Sequence, residues 1–182
     1  LCLLLVCAAA LLSAPAEASD RPTIVVSRID EAPDIDGVIG DGEWGGIPVD
    51  DRPFIQFEPD AGAPSRFRTT VRIAQTDAAL YVAIEAFDPE MSRLASAITR
   101  RDGEIERDDS VGVLLDTFSD RRTGYAFITN ALATQRDARI ADNGRTVDEL
   151  WDAEWRCAAR RFDARWTVEL EIPFSVLRFR SG

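Results

Sequence analysis

Arg165-Trp166-Thr167-Val168-Glu169-Leu170-Glu171-Ile172-Pro173 decides the fold class. Trp166, Val168, Leu170 and Ile172 alternate with Arg165, Thr167, Glu169 and Glu171. A repeat of two places one set on each face of a β-strand. The first set reads as the buried face and the second as the wetted one. The same period runs backwards along the chain. Leu80, Val82, Ile84 and Ala86 form one inward set, and Val111, Val113 and Leu115 another. Tyr125, Phe127 and Thr129 form a third.

Turn chemistry falls where these runs stop. Thr76-Asp77-Ala78 and Phe162-Asp163-Ala164-Arg165 read as hairpin turns, and Asp142-Asn143-Gly144 carries an Asn-Gly pair. Pro89 ends the Phe87 strand. From Glu90 to Arg107 the pattern fails, and a short helix near residues 91–96 followed by a mobile loop is expected. Antiparallel strands with one dry face predict an all-β, antiparallel β-sandwich of eight or more strands.

The chain opens on an apolar run from Leu1 to Leu12 that leads into Ala16-Glu17-Ala18. A dozen apolar residues before an A-x-A site fits a secretory signal peptide over residues 1–18 and is too short for a membrane span. No initiating Met precedes it, so the leader reads as truncated. The β-sandwich is assigned to residues 19–182. The chain is still apolar through Phe174 to Phe179, so its carboxyl end reads as open, a fragment of a longer protein.

Composition limits the chemistry. The 182 residues carry a net charge of −11 and no His. An acidic chain is repelled by phosphate backbones, which argues against nucleic acid. Without His, neither Ser-His-Asp nor His-ligated zinc is available. Paired carboxylates are the remaining catalytic device, but Asp109 and Asp116 sit at opposite tips of one strand about 20 Å long, too far apart for a glycosidase pair. The reading is a binding domain and not an enzyme. Cys157, alternating with Trp155 and Ala159, is read as a small buried hydrophobe.

Hard oxygen ligands remain possible for metal. Asp34-Ile35-Asp36-Gly37 lacks the calcium-loop spacing and reads as a turn. Asp88 and Asp109 would meet if their strands are neighbours, and calcium is the cofactor expected there. Among the aromatics, Trp155 and Trp166 are assigned to the core and Trp44 to a plug at one end of the sandwich. Trp151, flanked by acids in a loop, is the candidate exposed platform for a sugar ring.

Four segments in order resemble a family 9 carbohydrate-binding module. They are Ile35-Asp36-Gly37-Val38-Ile39 to Glu43-Trp44, Ala79–Ile84 into Phe87-Asp88-Pro89, Asp109-Ser110-Val111 to Leu115-Asp116, and Trp166–Glu169 to Ile172-Pro173. The resemblance covers residues 24–177 and implies a carbohydrate ligand or envelope glycan, in association with carbohydrate catabolism. Asp116-Thr117-Phe118, Trp151-Asp152-Ala153 and Ile172–Ser175 resemble envelope proteins in which this module precedes an outer-membrane β-barrel. That similarity implies a covalent barrel partner and export to the periplasm or outer membrane of a Gram-negative bacterium.

The resemblance also assigns the sugar site. The family's first stacking Trp falls on Glu106, a Glu contact on Gly112 and an Arg on Ile128, while Asn130 keeps its type. The second Trp falls beyond Gly182. Asn130, Trp151 and Glu106 are therefore the candidate carbohydrate contacts, on a site weakened by these departures. The alternative is a structural or gating domain of a barrel protein with the sugar site lost.

Overall fold

The computed structural model describes residues 22–179, apart from the side chain of Glu106. The leader assigned to residues 1–18 lies outside the described residues. Among the described residues nine strands form two sheets: β1 (Val26–Arg28), β2 (Thr69–Gln75), β3 (Ala79–Phe87), β4 (Ser110–Leu115), β5 (Gly124–Asn130), β6 (Gln135–Ala141), β7 (Thr146–Asp148), β8 (Arg156–Arg161) and β9 (Arg165–Pro173). One sheet has the order β1-β2-β3-β9-β8 and the other β4-β5-β6-β7. All pairings are antiparallel except β1 with β2, which run parallel. A parallel neighbour needs a long crossover, and residues 29–68 supply one.

The hairpin turns form where their residues favour them. Thr76 closes β2–β3 by donating its N–H to Ala79 O at 3.0 Å, and Phe162 closes β8–β9 on Arg165 O at 2.8 Å. Asn143 and Gly144 take φ of 59° and 84° in the β6–β7 turn, the left-handed region that these residue types tolerate.

The expected inward set of β9 is in the core between the sheets. Val168, Leu170 and Ile172 are fully buried, and Trp166 and Trp155 nearly so. Val82, Ile84, Tyr125 and Phe127 complete that core. Burying each of the large aliphatic chains stabilises the fold by about 1.5–3 kcal/mol.

The opposite face of β9 departs from expectation. Thr167 and Glu169 are as buried as the apolar set. The crossover covers them: Trp44 and Ile47, with Ile29, Ile35 and Ile39 packed alongside, lie against Ala74, Ala79, Tyr81 and Ala83. The three alanines leave room for the indole. Trp44 therefore covers the outer face of the five-stranded sheet and does not plug an end of the sandwich.

A buried carboxylate survives only if it is hydrogen-bonded. Glu169 accepts from the Trp44 indole Nε1 at 2.7 Å and from the N–H groups of Gly37 (2.7 Å) and Asp36 (3.1 Å). Gly37 sits at φ +86°, and a Cβ there would stand 2.9 Å from the backbone carbon of Ala159. The Asp-Gly turn read from sequence is thus the clamp that fixes the crossover to the sheet. Burial pushes the Glu169 carboxyl above its usual range, against the pull of those donors.

Candidate functional site

Of the three sugar contacts expected from sequence, Asn130 and Trp151 are engaged within the protein. Asn130, at the end of β5, is fully buried. Its Nδ2 donates to Ile98 O and to Asp108 Oδ2, both at 2.8 Å. Its Oδ1 accepts the N–H groups of Leu132 and Thr134, each at 3.0 Å. The amide has spent its hydrogen-bonding capacity on the protein and has none for a ligand. Trp151 is half-buried, its ring 5.1 Å from Tyr125 and 5.9 Å, edge-on, from Phe127. It extends the core, leaving only part of the ring exposed. Glu106 lies in the 3-10 turn Ile105–Arg107, and its side chain is outside the described residues.

The segment expected to be mobile is instead tied down. Asp108 accepts from the N–H groups of Ala97 (3.0 Å) and Ile98 (2.8 Å), and Asp109 accepts from Ala95 N–H at 2.7 Å. Thr134 Oγ1 donates to Ile98 O at 2.7 Å. Burial alone would raise the Asp108 carboxyl, but the donors of Ala97, Ile98 and Asn130 outweigh it and hold it below its usual range. Single 3-10 turns at Met91–Arg93 and Ile105–Arg107 replace the expected helix.

The calcium pair fails on topology. β3 pairs with β2 and β9, and β4 pairs with β5 in the other sheet, so Asp88 and Asp109 do not lie on neighbouring strands. Asp88 Oδ1 accepts Glu90 N–H at 2.6 Å, closing its own turn. Calcium takes about six to eight oxygen ligands. Among the described residues no three His, Cys, Asp or Glu side chains gather to offer them. The residues present do not fit the ion.

Gly112 and Ile128 face each other across β4 and β5 on the outer surface of the four-stranded sheet. A Cβ on Gly112 would stand 2.9 Å from Phe127 O and 3.0 Å from Ile128 Cγ1. A glutamate there would force the strands to shift. The register places Leu114, Ile140 and Val147 on the same face, where Leu114 is 65% exposed and Val147 49%. This surface is largely apolar, with Arg136 beside Ile128 held by Glu149 at 2.7 Å.

A cleft of about 550 Å³ opens elsewhere, where the segment before β8 meets the end of β9. Arg101, Asp152, Glu154, Arg156 and Glu171 line it, with Pro173 and Val176 as its apolar strip. The Arg101 Nη2 donates to Asp137 Oδ1 and Asp152 Oδ1, both at 2.6 Å, and to Ala153 O at 3.0 Å. Its Nη1 donates to Gln135, whose own amide reaches Trp155 O at 2.7 Å. Behind it, fully buried Asp137 accepts the Trp155 indole at 3.0 Å and Ala153 N–H at 2.8 Å. Burial drives the Asp137 carboxyl above its usual range, opposed by Trp155, Ala153 and Arg101. Arg156 and Glu171 pair across the rim at 2.9 Å.

Sequence reasoning missed Arg101, which sits in a stretch without periodicity. Asp137 did carry a signal: the register puts it opposite Phe127 on the inner face. An acid at a core position demands a buried partner.

Comparison with known proteins bears on what such a sandwich binds. A family 9 carbohydrate-binding module from Caldicellulosiruptor kristjanssonii in complex with cellotriose is 22% identical, with a TM-score of 0.58 over 83% of this chain and 67% of that one. The module from the same organism in complex with glucose is 23% identical (TM-score 0.56; 82% and 68%). A supposed carbohydrate-binding protein from Bacteroides uniformis is 15% identical (TM-score 0.64; 83% and 72%). No curated protein matches the chain. At these identities the structural likeness is one of fold. The sequence itself matches the family model described as carbohydrate family 9 binding domain-like over residues 35–181, so the chain belongs to that family.

Proposed function

We propose that this protein is a carbohydrate-binding accessory domain of an exported envelope protein and serves carbohydrate catabolism through a partner activity. Its family is one of non-catalytic binding modules, and the chain is a binding module in the same sense. The observation that carries the reading is the family match across the whole two-sheet sandwich. Family relatives hold cellotriose and glucose, which supports saccharides as the ligand class. The leader-like residues 1–18 support export to the periplasm or outer membrane. A covalent outer-membrane barrel rests on the resemblance of residues 116–122, 151–153 and 172–179 alone.

A second reading, a structural domain of a barrel protein with its sugar site lost, is favoured by Gly112. A Cβ there would collide with β5, and the face around it is largely apolar. A glycan array separates the two. The carbohydrate reading expects retention of some polysaccharide or envelope glycan; retention of none across neutral and acidic glycans leaves the structural reading standing. Fractionation of the native host, probed with antibody, tests export, and recovery of the protein in the cytosol would refute it.

A further inference from the structure

We infer that the cleft around Arg101 is a saccharide-binding site for neutral sugar chains, distinct from the outer face of the four-stranded sheet. The inference rests on the carbohydrate reading and adds to it the place of binding and the charge of the ligand.

The outer face offers a sugar little. Gly112, Leu114, Ala126, Ile128 and Ile140 lie on it, its Arg136 is engaged by Glu149 at 2.7 Å, and a side chain at Gly112 would collide with β5. The cleft offers what a sugar needs. Its volume of about 550 Å³ lies within the range of small-molecule sites, about 300–1,000 Å³. Arg101 is one-third exposed, and its guanidinium is anchored to Asp137, Asp152, Gln135 and Ala153. A guanidinium has five N–H donors, and one so anchored needs no further ordering when a ligand arrives. Asp152 (73% exposed) and the exposed Glu154 present carboxylates that accept from hydroxyl pairs. Arg156, 67% exposed, presents donors. Pro173 and Val176 give an apolar strip for the C–H face of a sugar ring. Alternating donors and acceptors beside an apolar strip match a polyhydroxylated, amphipathic ligand.

Charge selects among sugars. Asp152, Glu154 and Glu171 outnumber Arg101 and Arg156 on the lining, in a chain of net charge −11. Uronates and sugar phosphates are repelled, while neutral chains are not.

Titration calorimetry with cellohexaose, xylohexaose and mannohexaose, against hexagalacturonate, tests the inference. At least one neutral hexasaccharide should bind at least tenfold more tightly than hexagalacturonate. Glu154→Gln and Arg156→Ala, both on the exposed rim, should weaken that binding at least tenfold with melting temperatures unchanged, while Leu114→Ser leaves it intact. Wild-type affinity in both rim variants, loss of binding in Leu114→Ser, or equal affinity for hexagalacturonate would overturn the inference and leave the carbohydrate reading in place. Failure of every saccharide to bind would overturn both.

Discussion

Trp151 packs on Tyr125 and Phe127 and so acts on stability before it can act on ligands. Trp151→Ala should cost about 2–3 kcal/mol, less than the about 3–5 kcal/mol of a fully buried ring. Denaturant unfolding at constant m checks this; an unchanged midpoint would mean that the ring is a surface group after all. Asn130→Ala strips acceptors from the N–H groups of Leu132 and Thr134 and a donor from Asp108. Each buried group left unsatisfied costs about 1–3 kcal/mol. The variant should lose about 3 kcal/mol or more, and a loss below 1 kcal/mol would contradict the account of that amide. Asp88 closes its own turn and Asp109 ties down Ala95, so melting in millimolar calcium and in excess chelator should coincide. A rise of several degrees with calcium would restore the ion. Residue types alone could not settle these roles, because an Asn or Trp beside acids looks alike whether it faces a ligand or a backbone.

Two elements are each held in part by a carboxylate, and the two carboxylates respond to pH in opposite directions. The crossover hangs on Glu169, whose folded carboxyl titrates above its ordinary value of 4.5. The folded state binds that proton more tightly than the unfolded state does. The contribution is therefore complete below 4.5 and is lost as pH rises through the folded value. Asp137 has the same sign. Stability should fall as pH rises from about 4.5, and Glu169→Gln should flatten part of that slope; identical pH profiles for the two proteins would contradict it. The loop at 95–109 hangs on Asp108, held below 3.8. Its contribution is present above 3.8 and is lost as pH falls through the lower folded value. Hydrogen-exchange protection, relative to intrinsic rates, should therefore fall selectively in residues 95–109 in acid, and a uniform fall across the sheets would refute the clamp. The strands and hairpins were legible because alternation and turn residues are local signals. The crossover was not, since Thr167 and Glu169 occupy the positions that a wetted face would give to the same residue types. What buries them lies more than 120 residues away in sequence.

On the scale of the whole molecule, an acidic chain without His folds as two sheets with an extra layer over one of them. Fold and family were legible in four ordered segments, and the model match over residues 35–181 agrees with them. The proposed site was not, because its key cation lies in an aperiodic stretch, while Asn130, which the resemblance assigns, is hydrogen-bonded inside the protein. The central claim, carbohydrate binding without catalysis, is tested most directly by titrating soluble neutral polysaccharides and glucose into the protein by calorimetry. The resemblance assigns a stacking ring to Glu106 and a charged hydrogen bond to Ile128. Those losses remove about 2–4 kcal/mol from a relative's site, which takes a micromolar affinity for glucose to about 0.1 mM or weaker. The account predicts a saturable heat with at least one polysaccharide, no release of reducing ends, and glucose no tighter than that. Low-micromolar glucose binding, or no heat from any polysaccharide, would contradict it.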